Sequence, residues 1–269
     1  MGAVHAWYYT DPASPWSWAI EPHVRRLTVE LEGQLELTYV MGGIRELGAG
    51  RDEAREWLAA AAASGMPVDV RLWLEGAPTT SYPACLAVKA AAEQGDPGDF
   101  LRALREGFAF RRRRLDHAEA FESIARERGG LDLDRLRIDM GSHAIVEAFG
   151  ADLDRARAVA PERQSQDQGR VELPSIEFRG QDGQVDAVYG PQPYEAYRDA
   201  AAAVGAVFGT RVALPIEEAL RRFGTMATVE VAAVCDLPGP RAAAELWRAA
   251  AEWRVRAEPT LGGDVWSLA

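Results

Sequence analysis

Sulfur is scarce in this chain: its 269 residues include two cysteines, Cys85 and Cys235, far apart and with no motif around either. No disulfide framework is expected, and each cysteine reads as a small buried apolar side chain in a reducing compartment. Four scattered histidines add no ligand spacing, so a metal site is not expected. No apolar run approaches the roughly 18 residues that a membrane span needs. The first residues show no basic region followed by an apolar stretch, which predicts no signal peptide and a cytoplasmic protein without membrane contact. Excess basic charge is missing too. Thirty Lys and Arg stand against 41 Asp and Glu, a formal net charge of −11, whereas a general nucleic-acid binder rests on the opposite balance. The one basic cluster, Arg111-Arg112-Arg113-Arg114, reads as a solvated helix face paired with nearby Glu and Asp.

Apolar residues make up 48% of the chain, enough for one large core or one core with an elaboration. Residues 5–9 read as a strand. They run into Asp11-Pro12-Ala13-Ser14-Pro15-Trp16-Ser17-Trp18, where Pro15 opens a helix expected to reach about residue 32 with a kink at Pro22. Residues 35–41 alternate as a second strand, which makes a parallel βαβ unit. Helical periodicity then dominates, over 52–64, 82–94, 97–111, 116–128, 132–140, 142–149 and 153–159. Strand chemistry returns at 175–178 and 185–188 around a Gln181-Asp182-Gly183-Gln184 turn, followed by a helix over 194–204. The tail offers helices at 216–223, 229–235 and 240–253, and a hairpin between 254–256 and 265–268. The expected organisation is therefore α/β: residues 1–50 and 171–209 one domain, 51–170 a helical insertion, and 210–269 a small winged-helix-like unit. The helix 240–253 is too apolar and too balanced in charge to read DNA, so packing or oligomerisation is its expected role.

A strand that turns through X-Pro into a helix is how thioredoxin-like folds present a reactive pair, and here both positions are serine. The order βαβ, helical insert, hairpin, helix resembles the DsbA-like branch of the thioredoxin superfamily. Tyr8 to Trp18, Gly65-Met66-Pro67-Val68, Ser81 to Ala90, Gly190-Pro191-Gln192-Pro193-Tyr194 and the tail segments Ala227 to Ala232 and Glu245-Leu246-Trp247 are similar to its cytoplasmic group, which includes the FrnE type and the YjbH-type adaptors. Members of that group typically carry cysteine where Ser14 stands. The Ser-Pro-Trp-Ser motif itself resembles the kappa-class glutathione transferases and hydroxychromene-carboxylate isomerases, whose serine holds a cofactor thiolate.

The resemblance implies roles residue by residue. Ser14 and Ser17 are the candidate catalytic pair, with Pro15 and Trp16 between them. Leu173-Pro174 would be the cis-proline bond facing the pair, leaving the Leu173 backbone free for a peptide-like ligand such as glutathione or another low-molecular-weight thiol. Gly190 and Gln192 could take that ligand's carboxylate, and Tyr9, Trp18, Met66 and Tyr82 could wall a substrate pocket beneath the insert. Each has a plainer reading: Ser14 and Ser17 as helix caps, the aromatics as core. A serine nucleophile lacks a local base, since His23 lies roughly 13 Å along a helix. Three functions stay open. One is a thiol-cofactor-dependent isomerase or transferase acting on a small apolar or aromatic molecule. The second is a redox-inactive adaptor with a protein partner or a homodimer. The third is an oxidoreductase whose cysteine was replaced by Ser14.

Overall fold

The computed structural model describes residues 4–165, 169–209 and 213–269. The expected boundary at residue 210 lies outside the described residues. Strand β1 (Val4–Thr10) is rich in aromatic side chains that suit a buried pleated surface. It pairs in parallel with β2 (Leu35–Met41), with Val4 opposite Leu35 and Thr10 opposite Met41. Between them the chain forms α1 (Pro15–Ala19) and α2 (Glu21–Glu30). The single kinked helix expected there is two helices broken at Ile20. Pro22 has no N–H to offer the Trp18 carbonyl, so the ladder stops and Pro22 sits in the first turn of a new helix.

The helical insertion follows, as α3 (Gly50–Ser64), α4 (Arg71–Glu75), α5 (Tyr82–Ala92), α6 (Gly98–Ala109), α7 (Ala118–Arg128), α8 (Leu133–Met140) and α9 (His143–Arg157). The separate helices expected over 142–149 and 153–159 are one, capped by Ser142, whose Oγ accepts the Ile145 N–H at 3.3 Å. The arginine run is not on a helix. Helix α6 ends at Ala109, Phe110 turns inward against Trp18, and Arg112 has a φ of 52°.

The chain then returns to the sheet as the hairpin β3 (Ser175–Arg179) and β4 (Val185–Tyr189), giving the order β2-β1-β3-β4, with β3 antiparallel to β1. Helix α10 (Tyr194–Ala203) and α2 cover one face, around Tyr8, Leu27, Phe178 and Tyr197. On the other face Tyr9, Val40 and Leu173 meet Ala156 of α9. The insertion has its own core, with Trp57, Trp73 and Phe108 stacked in series. This is the α/β, thioredoxin-like fold with a helical insertion that the sequence predicts.

The last unit runs α11 (Ile216–Phe223), β5 (Met226–Ala227), α12 (Thr228–Val234), α13 (Gly239–Ala251), β6 (Val255–Thr260) and β7 (Gly263–Leu268), its strands ordered β5-β7-β6. That is three helices with a β-wing, packed around Trp266, Leu220, Val231 and Leu246. A buried charge network locks it to the other units. Arg102 of α6 grips Glu230 of α12 at 2.7 and 2.9 Å, Glu106 at 3.1 Å and Glu21 of α2 at 3.2 Å. Burial alone would raise the Glu21 carboxyl, but Arg105, Arg102 and Arg25 outweigh it and hold it below the usual carboxylate range. Glu106 is lowered likewise, with Arg102 its main partner against burial.

Candidate functional site

The turn after β1 is organised by Asp11, which is fully buried. Its Oδ1 accepts the Ala13 N–H at 2.8 Å, closing a local Asx turn. Its Oδ2 accepts from the Ile44 N–H at 3.1 Å, the Ser81 hydroxyl at 2.6 Å and the Cys85 thiol at 3.3 Å. One carboxylate thereby fastens the turn to the loop after β2 and to the start of α5. Burial first, and then the Asp11 charge, push the Cys85 thiol well above its ordinary range.

Ser14 follows in extended conformation (φ −83°, ψ 118°) as the cap of α1, and its Oγ accepts the Ser17 N–H at 3.2 Å. It is 4% exposed. The cap uses an acceptor lone pair and leaves the hydroxyl proton free to donate. The helix behind it is a short one, because of the break at Ile20, so the dipole available at Ser14 is smaller than an unbroken helix would give. Ser17 is buried, and its Oγ has no hydrogen-bond partner among the described residues. Trp16 is half-buried and its Nε1 donates to Glu56 of α3. Facing this turn, the Leu173–Pro174 bond is cis. The Leu173 side chain packs on Gly42, where a Cβ would sit only 2.7 Å from Leu173 Cδ1.

Ser14, Pro15, Trp16 and Leu173 line one open cleft of about 280 Å³. Its walls were not anticipated: Glu46, Glu53, Glu56 and Glu172, against Arg170 as the cation. Glu53 and Glu56 stand three apart on α3 and so share a face, which the sequence register could have shown. Burial raises the Glu53 carboxyl, partly offset by a 3.1 Å hydrogen bond from Trp57 Nε1. Among the described residues, no sulfur lines the cleft. A larger cavity of about 540 Å³ lies between α2 and α10, lined by none of these residues.

The remaining candidates lie elsewhere. Gly190 donates its N–H to Ser175 Oγ at 3.3 Å, and Gln192 donates its own to the Tyr197 hydroxyl at 3.1 Å, so neither amide is free for a ligand carboxylate. Gly190 has a φ of 69° and backs onto Glu172, whose carboxyl carbon would lie 2.9 Å from a Cβ there. Tyr9, Trp18 and Met66 are buried in packed cores. Trp18 Nε1 donates to the Pro67 carbonyl at 3.0 Å, and Tyr82 packs edge-on against Phe149 at 5.2 Å.

A family model described as thioredoxin matches residues 7–160. The chain is similar to a putative protein disulfide isomerase from Nitrosomonas europaea, with a TM-score of 0.62 and 18% identity over 75% of this chain and 97% of that one. The cytosolic disulfide reductase DsbM from Pseudomonas aeruginosa gives a TM-score of 0.58 at 18% identity, covering 75% of this chain and all of that one (100%). Over nearly its whole length (96%, against 86% of the relative) it is 28% identical to the ClpXP adapter protein SpxH of Halalkalibacterium halodurans. Among the described residues, no helix is long and apolar enough to cross a membrane.

Proposed function

This chain belongs to the thioredoxin family, in its DsbA-like branch, and we propose that it is a redox-inactive member that binds a segment of a client protein and delivers it to a ClpXP-type protease. The observation that carries this reading is the cleft itself, which occupies the thioredoxin reactive position, contains no sulfur among the described residues and is lined by carboxylates. Thiol-disulfide exchange needs an attacking thiolate, and a hydroxyl at position 14 cannot form the mixed disulfide. The cap alone does not disfavour a bound thiol cofactor, because the Ser14 proton is still available. Charge does. Glutathione brings two carboxylates against one ammonium and would add a thiolate, a net negative charge, into a cleft where, among the described residues, Glu46, Glu53, Glu56 and Glu172 face the Arg170 guanidinium. An extended polypeptide has no such handicap. It can pair its main chain with Leu173, whose own N–H and C=O make no main-chain hydrogen bond among the described residues. The SpxH relatives, whose similarity extends through the winged unit, supply the delivery step of the reading.

A tethering assay tests it. A fluorescent protein with a weak degradation tag, joined to this chain by a flexible linker, should be degraded by ClpXP faster than the same tagged protein beside the unlinked chain. The chain should also fail to reduce insulin and fail to conjugate glutathione to 1-chloro-2,4-dinitrobenzene. Equal degradation with and without the tether overturns the delivery reading. Conjugation that disappears in Ser14→Ala replaces it with the thiol-cofactor enzyme.

A further inference from the structure

A second cleft, of about 410 Å³, opens where the insertion meets the wing, and its charge is opposite to that of the Ser14 cleft. One wall is the loop after α6, with Phe110, Arg111, Arg112 and Arg113; Asp69 and Arg71 close its end, and the turn of the β6–β7 hairpin forms the other wall. The hairpin is held close by Gly262: a Cβ there would lie 2.9 Å from the Val68 backbone nitrogen, so only glycine lets the turn seat on that segment. The floor, Phe110, contacts Trp18 at 5.9 Å between ring centroids, directly behind the Ser14 turn.

The four arginines are not equivalent. Arg111 is held by both oxygens of Glu258, at 2.9 and 3.1 Å, and by Glu106 at 3.0 Å; Arg113 pairs with Glu127 at 2.6 Å. Arg71 is also held, by Nε to both oxygens of the buried Asp69 at 2.8 and 3.2 Å and by Nη2, with its remaining donors open among the described residues, and Arg112 has only a share of that same carboxylate. Arg112 reaches it only at 3.5 Å, and its side chain, 45% exposed, makes no hydrogen bond among the described residues. The backbone that aims it is strained. A φ of 52° belongs to the left-handed region, where a helix end normally places glycine. From that constrained position its donors open over the cleft. Leu261, 68% exposed at the wing tip, sets an apolar surface beside the two cations.

We propose that this cleft is a docking site for an acidic, extended segment of another protein, its carboxylates taken by Arg71 and Arg112 and an apolar residue by Leu261. Planar guanidinium groups match carboxylates two bonds at a time. A nucleic acid fits less well, because a phosphate backbone needs a track of cations, whereas Arg111 and Arg113 are already paired and Leu261 sets an apolar surface beside the remaining donors. The assignment is independent of what occupies the Ser14 cleft.

Fluorescence anisotropy with a short fluorescein-labelled peptide of glutamates and two leucines tests it. The peptide should bind at low salt and weaken as salt rises, while its glutamine counterpart and a short oligothymidylate should fail to compete. Arg112→Gly is the decisive variant. Glycine suits φ 52°, so melting should stay where it is or move up, while affinity falls about fivefold to tenfold; Arg71→Gln should lose a similar factor. Undiminished binding by Arg112→Gly, absence of binding by the native chain, or competition by the oligothymidylate equal to that of the peptide would each overturn the assignment.

Discussion

Replacing Arg102 by alanine should unfasten the three units from one another. The residue is 3% exposed, and its side chain carries the bidentate pair with Glu230, the contacts to Glu106 and Glu21, and a stack over Trp18 at 4.3 Å. Removing one member of a buried ion cluster costs about 3–5 kcal/mol, because the charges left behind stay buried without their partner. Here each abandoned carboxylate keeps something. Glu230 retains Arg25 at 3.2 Å and the Ala227 N–H at 2.6 Å, Glu106 retains Arg111 at 3.0 Å, and Glu21 retains Arg105. The loss should therefore sit near the lower figure, about 3 kcal/mol, or roughly 6–12 °C of melting temperature for a chain of this size. Tryptophan fluorescence during urea unfolding reads it directly, since Trp18 lies under the lost guanidinium. The pH dependence gives a second handle. Glu21 and Glu106 have folded pKa values below their unfolded ones, so the stability they contribute is complete above about pH 4.3 and is lost as pH falls through the folded values. The gap between native and Arg102→Ala chains should consequently narrow on acidification. A loss below about 1 kcal/mol, or a gap that does not change with pH, would refute the view that this network holds the units together.

Two further outcomes follow from packing. Gly262→Ala should destabilise by about 1–3 kcal/mol and raise the protease sensitivity of the wing hairpin, because the new methyl meets Val68 backbone atoms at 2.9 and 3.1 Å; unchanged proteolysis would mean that the turn moves away at little cost. Neither Cys85 nor Cys235 should react with a disulfide reagent in the native chain, both being buried and the Cys85 thiol raised by burial and Asp11, whereas prompt labelling without denaturant would contradict that packing.

The sheet was legible in the sequence because each strand carries its own evidence. Residues 35–41 alternate and end at Gly42-Gly43, and the β3–β4 hairpin announces its turn with Asp182-Gly183. Helix boundaries were less legible wherever two local signals compete. Pro22 was expected only to kink one helix, yet a proline suits the first turn of a helix as well, and the hydrogen bonds around Ile20 make it the start of a second. The gap expected between 149 and 153 falls inside continuous α9, where Gly150 is accommodated, since a glycine within a helix costs only about 1 kcal/mol and packing overrides it.

Position and chemistry separate at the candidate site. The Ser-Pro-Trp-Ser turn could be placed from sequence because one short segment builds it, whereas the cleft draws its walls from separate segments, around residues 46–56 and 165–173, whose meeting depends on the tertiary fold. The aromatic residues expected to wall a pocket could equally be core, and burial assigns Tyr9, Trp18 and Met66 to the core. Ser14 itself illustrates the limit most sharply. From sequence, cap and thiol ligand were both open to it; in the fold the hydroxyl caps Ser17 and still keeps its proton. The residue therefore does not decide its own chemistry. Its surroundings do, because a thiolate that could accept that proton's hydrogen bond would have to enter among four carboxylates to reach it, and a neutral stretch of polypeptide would not meet the same repulsion.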